Sequence, residues 1–185
     1  MHKFDTFNIM SIPKYSKIEN ERRWLFPLTF LSKLDNLSYQ KIEDLYLDCG
    51  RLRLRSLTHS QTGQRQFKLC KKYGPISNTA EPIVNIYLSF DEYTTLSILP
   101  GSKLIKSRYK LTIDRTQFNV DVFEGELSNL ILCEIEAESE ELLNAVMSPE
   151  NAILEVTGNE IFSGGNLAKT DRSELEKILK PYLRP

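Results

Sequence analysis

The sequence predicts an α+β, mainly β protein built on a large antiparallel sheet or barrel, and three observations carry that prediction. About seven or eight segments alternate apolar and polar residues with period two. Gly, Pro, Asn and Asp punctuate them, and only short intervening stretches suit helices. Charge is also segregated among them, with only cations in RLRLR, FKLCKK and LIKSRY and mainly anions in ENE and EIEAE, whereas an ordinary solvated face mixes signs.

Residues 1–13 are polar and irregular and read as a loose arm. KIENERRWLF, Lys17 to Phe26, reads as a strand that stops at Pro27, with Lys17, Glu19, Glu21 and Arg23 on one face. Carboxylates two residues apart on a strand lie roughly 7 Å apart and can bracket a hard divalent cation. Thr29–Leu37 fits a short helix capped by Thr29. Two extended arms follow, joined at Asp48-Cys49-Gly50 in a hairpin; Arg51, Arg53 and Arg55 share one face of the second arm. QRQFKLCKKYG turns Lys68, Cys70 and Lys72 one way and Phe67 and Leu69 the other. PIVNIYLSF sets Val84, Ile86, Leu88 and Phe90 on an apolar face, and DEYTTLSIL suits a short helix with Leu96 and Leu99 inward. KLIKSRYKLTID opposes Lys106, Arg108 and Lys110 to Ile105, Tyr109 and Leu111. QFNVDVFEGEL carries Asp121, and LILCEIEAE sets Glu134, Glu136 and Glu138 against Ile131, Cys133 and Ile135. Ser139 suits a cap for a helix over Glu140–Met147, and a last helix starts near Ser173, within a C-terminal helix and tail at 171–185.

The 185 residues fit a single domain, 1–185, long enough to bury a core. The formal net charge is −1, from 24 basic and 25 acidic residues, so no global field steers the chain to nucleic acid or an anionic membrane. Basic residues alternate with aliphatics rather than stacking aromatics, which again argues against nucleic acid. Cys49, Cys70 and Cys133 have no metal-type spacing and suit reduced thiols in a cytoplasmic protein. No signal-like or membrane-length apolar run is expected to direct or anchor it. His2 and His59 stand in no catalytic or zinc setting.

Segregated charge matters because a barrel of about eight strands can enclose a small ligand. Lining such a barrel with charge is costly unless the charges pair or bind something. A cationic wall facing an anionic wall suits a polyphosphate with its metal: arginine and lysine take the phosphate oxygens, and carboxylates hold Mg²⁺ or Mn²⁺.

KIENERRWLF, DCGRLRLRS, FKLCKKYG, KLIKSRY, NVDVFEGEL, CEIEAE and LEVTGNEIF occur in the order seen in CYTH domains, the triphosphate tunnel metalloenzymes, and the chain resembles that family from about Lys14 to Ala168. The resemblance implies an eight-stranded antiparallel closed β-barrel with helices packed outside. It implies Mg²⁺- or Mn²⁺-dependent hydrolysis of inorganic triphosphate or a small organic triphosphate, such as thiamine triphosphate. Adenylate cyclase activity on ATP and a non-catalytic polyphosphate or nucleotide sensor are its alternatives. By motif, Glu19, Glu21 and Arg23 would be catalytic, and Arg53, Arg55, Lys68, Lys72, Lys106 and Arg108 would bind phosphate. Glu134 and Glu136 would hold metal, with Asp121, Glu19 and Glu21 assisting. Arg51, Lys110 and Glu138 fall at the mouths or outside. The chain departs from the pattern at Arg23 (usually lysine), Cys70 (often threonine) and Asn129 (often glycine). Arginine clamps phosphate but cannot act as a base. A homodimer is compatible with the chain, whose oligomeric state the sequence leaves open.

Overall fold

The computed structural model describes residues 12–182, so the expected N-terminal arm and the end of the C-terminal tail lie mostly outside the described residues. Strands β1 (Lys17–Leu25), β2 (Tyr39–Leu47), β3 (Leu52–His59), β4 (Arg65–Lys72), β5 (Ala80–Leu88), β6 (Gly101–Ile113), β7 (Thr116–Phe123) and β8 (Ile131–Ala137) form one antiparallel sheet. The order is β5-β4-β3-β2-β6-β7-β8-β1, and β1 pairs back on β5, closing an eight-stranded barrel. A two-residue strand, β9 (Leu154–Glu155), shares the edge of β1 with β5. Closure pairs the two ends of the sheet where Lys17–Asn20 meet Ala80–Ile83, and so removes the strand edges there.

The alternation has an unusual consequence: most of the apolar core lies outside the barrel wall. Trp24, Val120, Ile131 and Cys133 point outward and pack with Phe26, Phe30 and Leu34, and with Leu143 of α2 (Glu140–Asn144). Leu45, Leu47 and Leu54 point outward under Tyr93 and Leu96 of α1 (Phe90–Leu96). A third group is internal: Leu25, Leu104, Phe123 and Leu132 form an apolar layer with Phe162, and with Leu167 of α3 (Gly164–Leu167). Leu175 and Leu179 of α4 (Arg172–Leu179), capped by Asp171, complete that layer. Each such side chain contributes roughly 1.5–3 kcal/mol on burial, which leaves the rest of the lumen free to be polar.

Several expectations shift. Residues 28–33 form a 3-10 helix, shorter than the helix expected over Thr29–Leu37, and Pro27 rather than Thr29 occupies the cap position. Proline lacks the N–H but fixes the φ that starts such a turn. The helix expected over Glu140–Met147 ends at Asn144 ahead of Pro149, although Ser139 caps it by accepting from Leu142 N. Phe90 opens α1 instead of ending a strand and is largely exposed, as is Ile86. The cause is register: only residues 80–83 of β5 meet β1, so its distal half pairs with β4 alone and projects beyond the barrel. Leu99, expected inward, is also exposed. Among the described residues no helix is long and apolar enough to cross a membrane, and the three cysteines are unpaired.

Asn129 adopts a left-handed conformation, φ 81°, in the tight turn into β8. That explains an asparagine where glycine is common, because asparagine tolerates this region better than other side chains. Asn129→Ala is expected to lower stability by about 1 kcal/mol, while Asn129→Gly leaves it unchanged or higher; urea denaturation measures both.

Candidate functional site

The lumen encloses a cavity of about 710 Å³, reached past Gly50–Leu52, residues 75–81 and residues 157–169. Glu19, Glu21, Arg23, Arg53, Arg55, Lys72, Lys106, Arg108, Glu134 and Glu136 all line it. Ladder register brings them together. Arg23 stands opposite Glu134 and Glu21 opposite Glu136 on β1–β8; Asp44 stands opposite Arg55 on β2–β3; Arg108 stands opposite Asp121 on β6–β7. Directly opposed residues share a face, so one turn of the barrel sets cations against acids.

Two expected residues sit elsewhere. Asp121 is fully buried behind the cavity wall, gripped by Arg108 Nε and Nη2 at 2.6 Å and by Lys106 Nζ. Lys68 shares the inward face of β4, but its register partner is Tyr87 in the projecting half of β5. Its Nζ lies 5.0 Å from the Tyr87 ring, outside the cavity lining. Arg51 is largely exposed at the mouth, 3.6 Å from Glu81.

The structure adds residues that sequence reasoning missed. Asp44 is buried and accepts from Arg55 Nε at 2.6 Å and Nη2 at 2.7 Å. Its signal was the shared face of Ile42, Asp44 and Tyr46, masked by Glu43 on the other face. Glu81 shares Lys72 with Glu19, each at 3.0 Å, and accepts from Gly74 N at 3.0 Å; it precedes Pro82 and read as loop. Residues 157–169 form a cover whose Gly164 admits Tyr46, since a Cβ there would stand 1.9 Å from the Tyr46 hydroxyl. Arg23 ties this cover to the acids: Nη1 donates to Phe162 O at 2.7 Å, Nη2 to Glu21, and Nε lies 2.9 Å from Glu134.

The titration behaviour divides the acids. Burial alone would raise Asp44, but Arg55 and Arg53 overrule it and hold the carboxyl at about 2. Glu134 is likewise pulled well down against its burial by Lys106, Arg23 and Arg108. Glu21 goes the other way: burial, reinforced by the nearby Glu134 and Glu19 charges, pushes it up to about 7 despite Arg23. Glu136 is also raised, by burial and then by Glu19. Glu136, directly opposite Glu21, makes no ion pair among the described residues, and Glu21 shares Arg23 with Glu134, so cations are scarcest at this part of the acidic wall. Among the described residues, no three acidic, histidine or cysteine side chains converge as a metal shell in this arrangement. Glu19, Glu21 and Glu134 are each held by a cationic neighbour instead.

On the cationic side, Arg53 is under-satisfied. Its Nε is buried without a hydrogen-bond partner, 3.8 Å from Asp44 Oδ1. A buried donor left without a partner costs roughly 1–3 kcal/mol, and an anionic ligand would remove that cost.

No family model and no curated protein matches the chain. Solved structures do share its fold. The inorganic triphosphatase NE1496 is 24% identical, over 82% of this chain and 95% of its own, with a TM-score of 0.53. A second structure, described as the hypothetical protein NE1496, is 23% identical over 83% of this chain and 99% of its own, with a TM-score of 0.54. PH1819 from Pyrococcus horikoshii OT3 is 18% identical over 90% and 91%, with a TM-score of 0.51. The chain thus has the barrel fold of NE1496 and PH1819.

Proposed function

We propose that the protein hydrolyses inorganic triphosphate or a small organic triphosphate with Mg²⁺ or Mn²⁺. The observation that carries the reading is the cavity itself, in which Arg53, Arg55, Lys106 and Arg108 face Glu19, Glu21, Glu134 and Glu136 inside a closed barrel. The fold shared with a protein described as an inorganic triphosphatase supports it.

Arg53, Arg55, Lys72, Lys106 and Arg108 bind the phosphate oxygens and hold the chain in line for attack. Glu19, Glu134 and Glu136 would hold the divalent ion. When bound, it neutralises phosphate charge and lowers the pKa of water. Arg23 stays cationic, so it clamps and cannot deprotonate. Glu21 takes the proton instead: its Oε1 is held by Arg23, its other oxygen accepts from no side chain among the described residues, and its pKa of about 7 suits transfer near neutral pH. Asp121 stays behind Arg108 and Lys106 as their countercharge.

Phosphate release from inorganic triphosphate, thiamine triphosphate and ATP, assayed with and without each metal, tests the reading. Metal-dependent phosphate release is expected; cyclic AMP from ATP without phosphate release would replace hydrolysis by cyclisation. Glu136→Gln is expected to abolish metal-dependent turnover while leaving the metal-free fold intact, because the variant removes a carboxylate that repels its neighbours. Near-parental turnover in that variant would remove Glu136 from the metal site. Arg53→Ala is expected to weaken triphosphate binding about tenfold to a hundredfold, the range of one charge-assisted hydrogen bond, as read by calorimetry.

The crowded acids also set how the metal-free protein responds to pH. Glu21 has a folded pKa of about 7 against the ordinary 4.5. Between those values the native state binds the extra proton, so stability falls as pH rises through that window, by up to about 3 kcal/mol. Asp44, held at about 2 against 3.8, acts oppositely. Its stabilisation is complete above the unfolded value and is lost as pH falls through about 2. The melting temperature of metal-free protein is therefore expected to peak in weak acid, and Glu21→Gln should flatten its neutral-side decline. An unchanged decline in that variant would assign it to another group.

A further inference from the structure

The phosphate-binding wall hides a carboxylate that can touch neither phosphate nor metal. Asp44 lies on β2, its side chain has no solvent exposure, and it is absent from the cavity lining. Both of its oxygens face Arg55: Nε at 2.6 Å on Oδ1 and Nη2 at 2.7 Å on Oδ2. This bidentate fork fixes the guanidinium plane and leaves Nη1 unspent. Arg53 Nε stands 3.8 Å from the same Oδ1, held short of a hydrogen bond. Asp121 grips Arg108 through the same two nitrogens two strands further round the barrel, on β7.

A carboxylate behind the wall has two effects of opposite sign on a phosphate ligand. It subtracts charge from the wall, which weakens ground-state attraction. It also freezes the orientation of the arginine, which favours the one geometry in which the phosphate chain lies in line. For a fully buried fork the second effect dominates turnover, because misplacement of a positioning group costs rate steeply.

Resting on the triphosphate reading, we propose that Asp44 is a positioning residue: it presets Arg55, with Arg53 beside it, as a fixed fork for one phosphate group of the substrate, and trades affinity for alignment. The consequence is a split between binding and rate that a merely structural residue would not produce. In Asp44→Asn the wall gains unneutralised charge while the fork loses its hold. KM for inorganic triphosphate should stay level or fall, and kcat should drop about tenfold or more.

Three measurements decide it. In the metal-free parent, NMR of the arginine Nε–H groups should find that of Arg55 protected from solvent exchange, and Asp44→Asn should lose the protection; equal protection in both overturns the proposal. Steady-state kinetics should give the split described, and a raised KM with unchanged kcat overturns it. If Asp44→Asn fails to fold, the double variant Asp44→Asn/Arg55→Gln removes both charges of the pair. A residue acting through Arg55 predicts that this double variant turns over within about threefold of Arg55→Gln, since contacting residues couple; a further tenfold loss overturns it. A parent inactive on every triphosphate sinks the hydrolytic reading alone, because the exchange measurement still decides whether Asp44 sets the fork.

Discussion

Charge compensation across the lumen is the constraint on which the rest of this structure depends. A barrel interior filled with arginine, lysine and glutamate survives only if each charge removed from water finds a partner, since an uncompensated buried charge costs several kcal/mol. The ladder register supplies the partners: Arg23 faces Glu134, Arg55 faces Asp44, and Arg108 faces Asp121. The compensation is incomplete at two places. Glu21 and Glu136 are both pushed up by burial and by the charges of Glu134 and Glu19, and Arg53 Nε has no hydrogen-bond acceptor among the described residues. The lumen thus keeps two acids raised by burial and by neighbouring charge, and two buried arginine donors, Arg23 Nε and Arg53 Nε, without a hydrogen-bond partner among the described residues.

That polar lumen is affordable because the hydrophobic core has been moved outside the wall. Trp24, Val120 and Cys133 are fully buried on the outer face, and Leu143 from a single short helix seals them. The internal apolar layer of Leu25, Leu104, Phe123 and Leu132 is confined to the region under Phe162 and Leu167. The strands can therefore carry alternating apolar and charged residues with neither set wasted on solvent.

The alternation made most of this legible in the sequence. Strand positions were readable because period two persists in the wall elements, and the segregated charge, cationic on β3 and β6 and mainly acidic on β8 and at Glu19 and Glu21 of β1, implied that charge looks inward. What stayed hidden has a common cause. Asp44 and Glu81 compensate charge, so each carries the sign opposite to its neighbours on the cationic wall, and Glu43 and Pro82 disguise their faces. Lys68 misled for the converse reason: its parity is right, but only the pairing of β5 with β1 reveals that the barrel ends before it. Parity is written in the sequence; register and the point where a strand leaves the barrel are not.

Arg23 shows what a guanidinium does at this position that an ammonium would not. A lysine there would offer a single compact ammonium, whereas the guanidinium spans Glu21, Glu134 and the carbonyl of Phe162 at once. Backbone bonds reinforce the tie, with Arg23 N donating to Thr157 Oγ1 and Val156 N to Arg23 O. Arginine thus joins the acidic wall to the cover formed by residues 157–169 from three separate nitrogens of a planar fork, where lysine would have to serve all three partners from one point. Glu21 and Glu134 beside it raise the guanidinium's pKa against its burial, so it stays cationic. The group on this wall whose charge is negotiable is Glu21, which burial and the nearby charges of Glu134 and Glu19 push up to about 7.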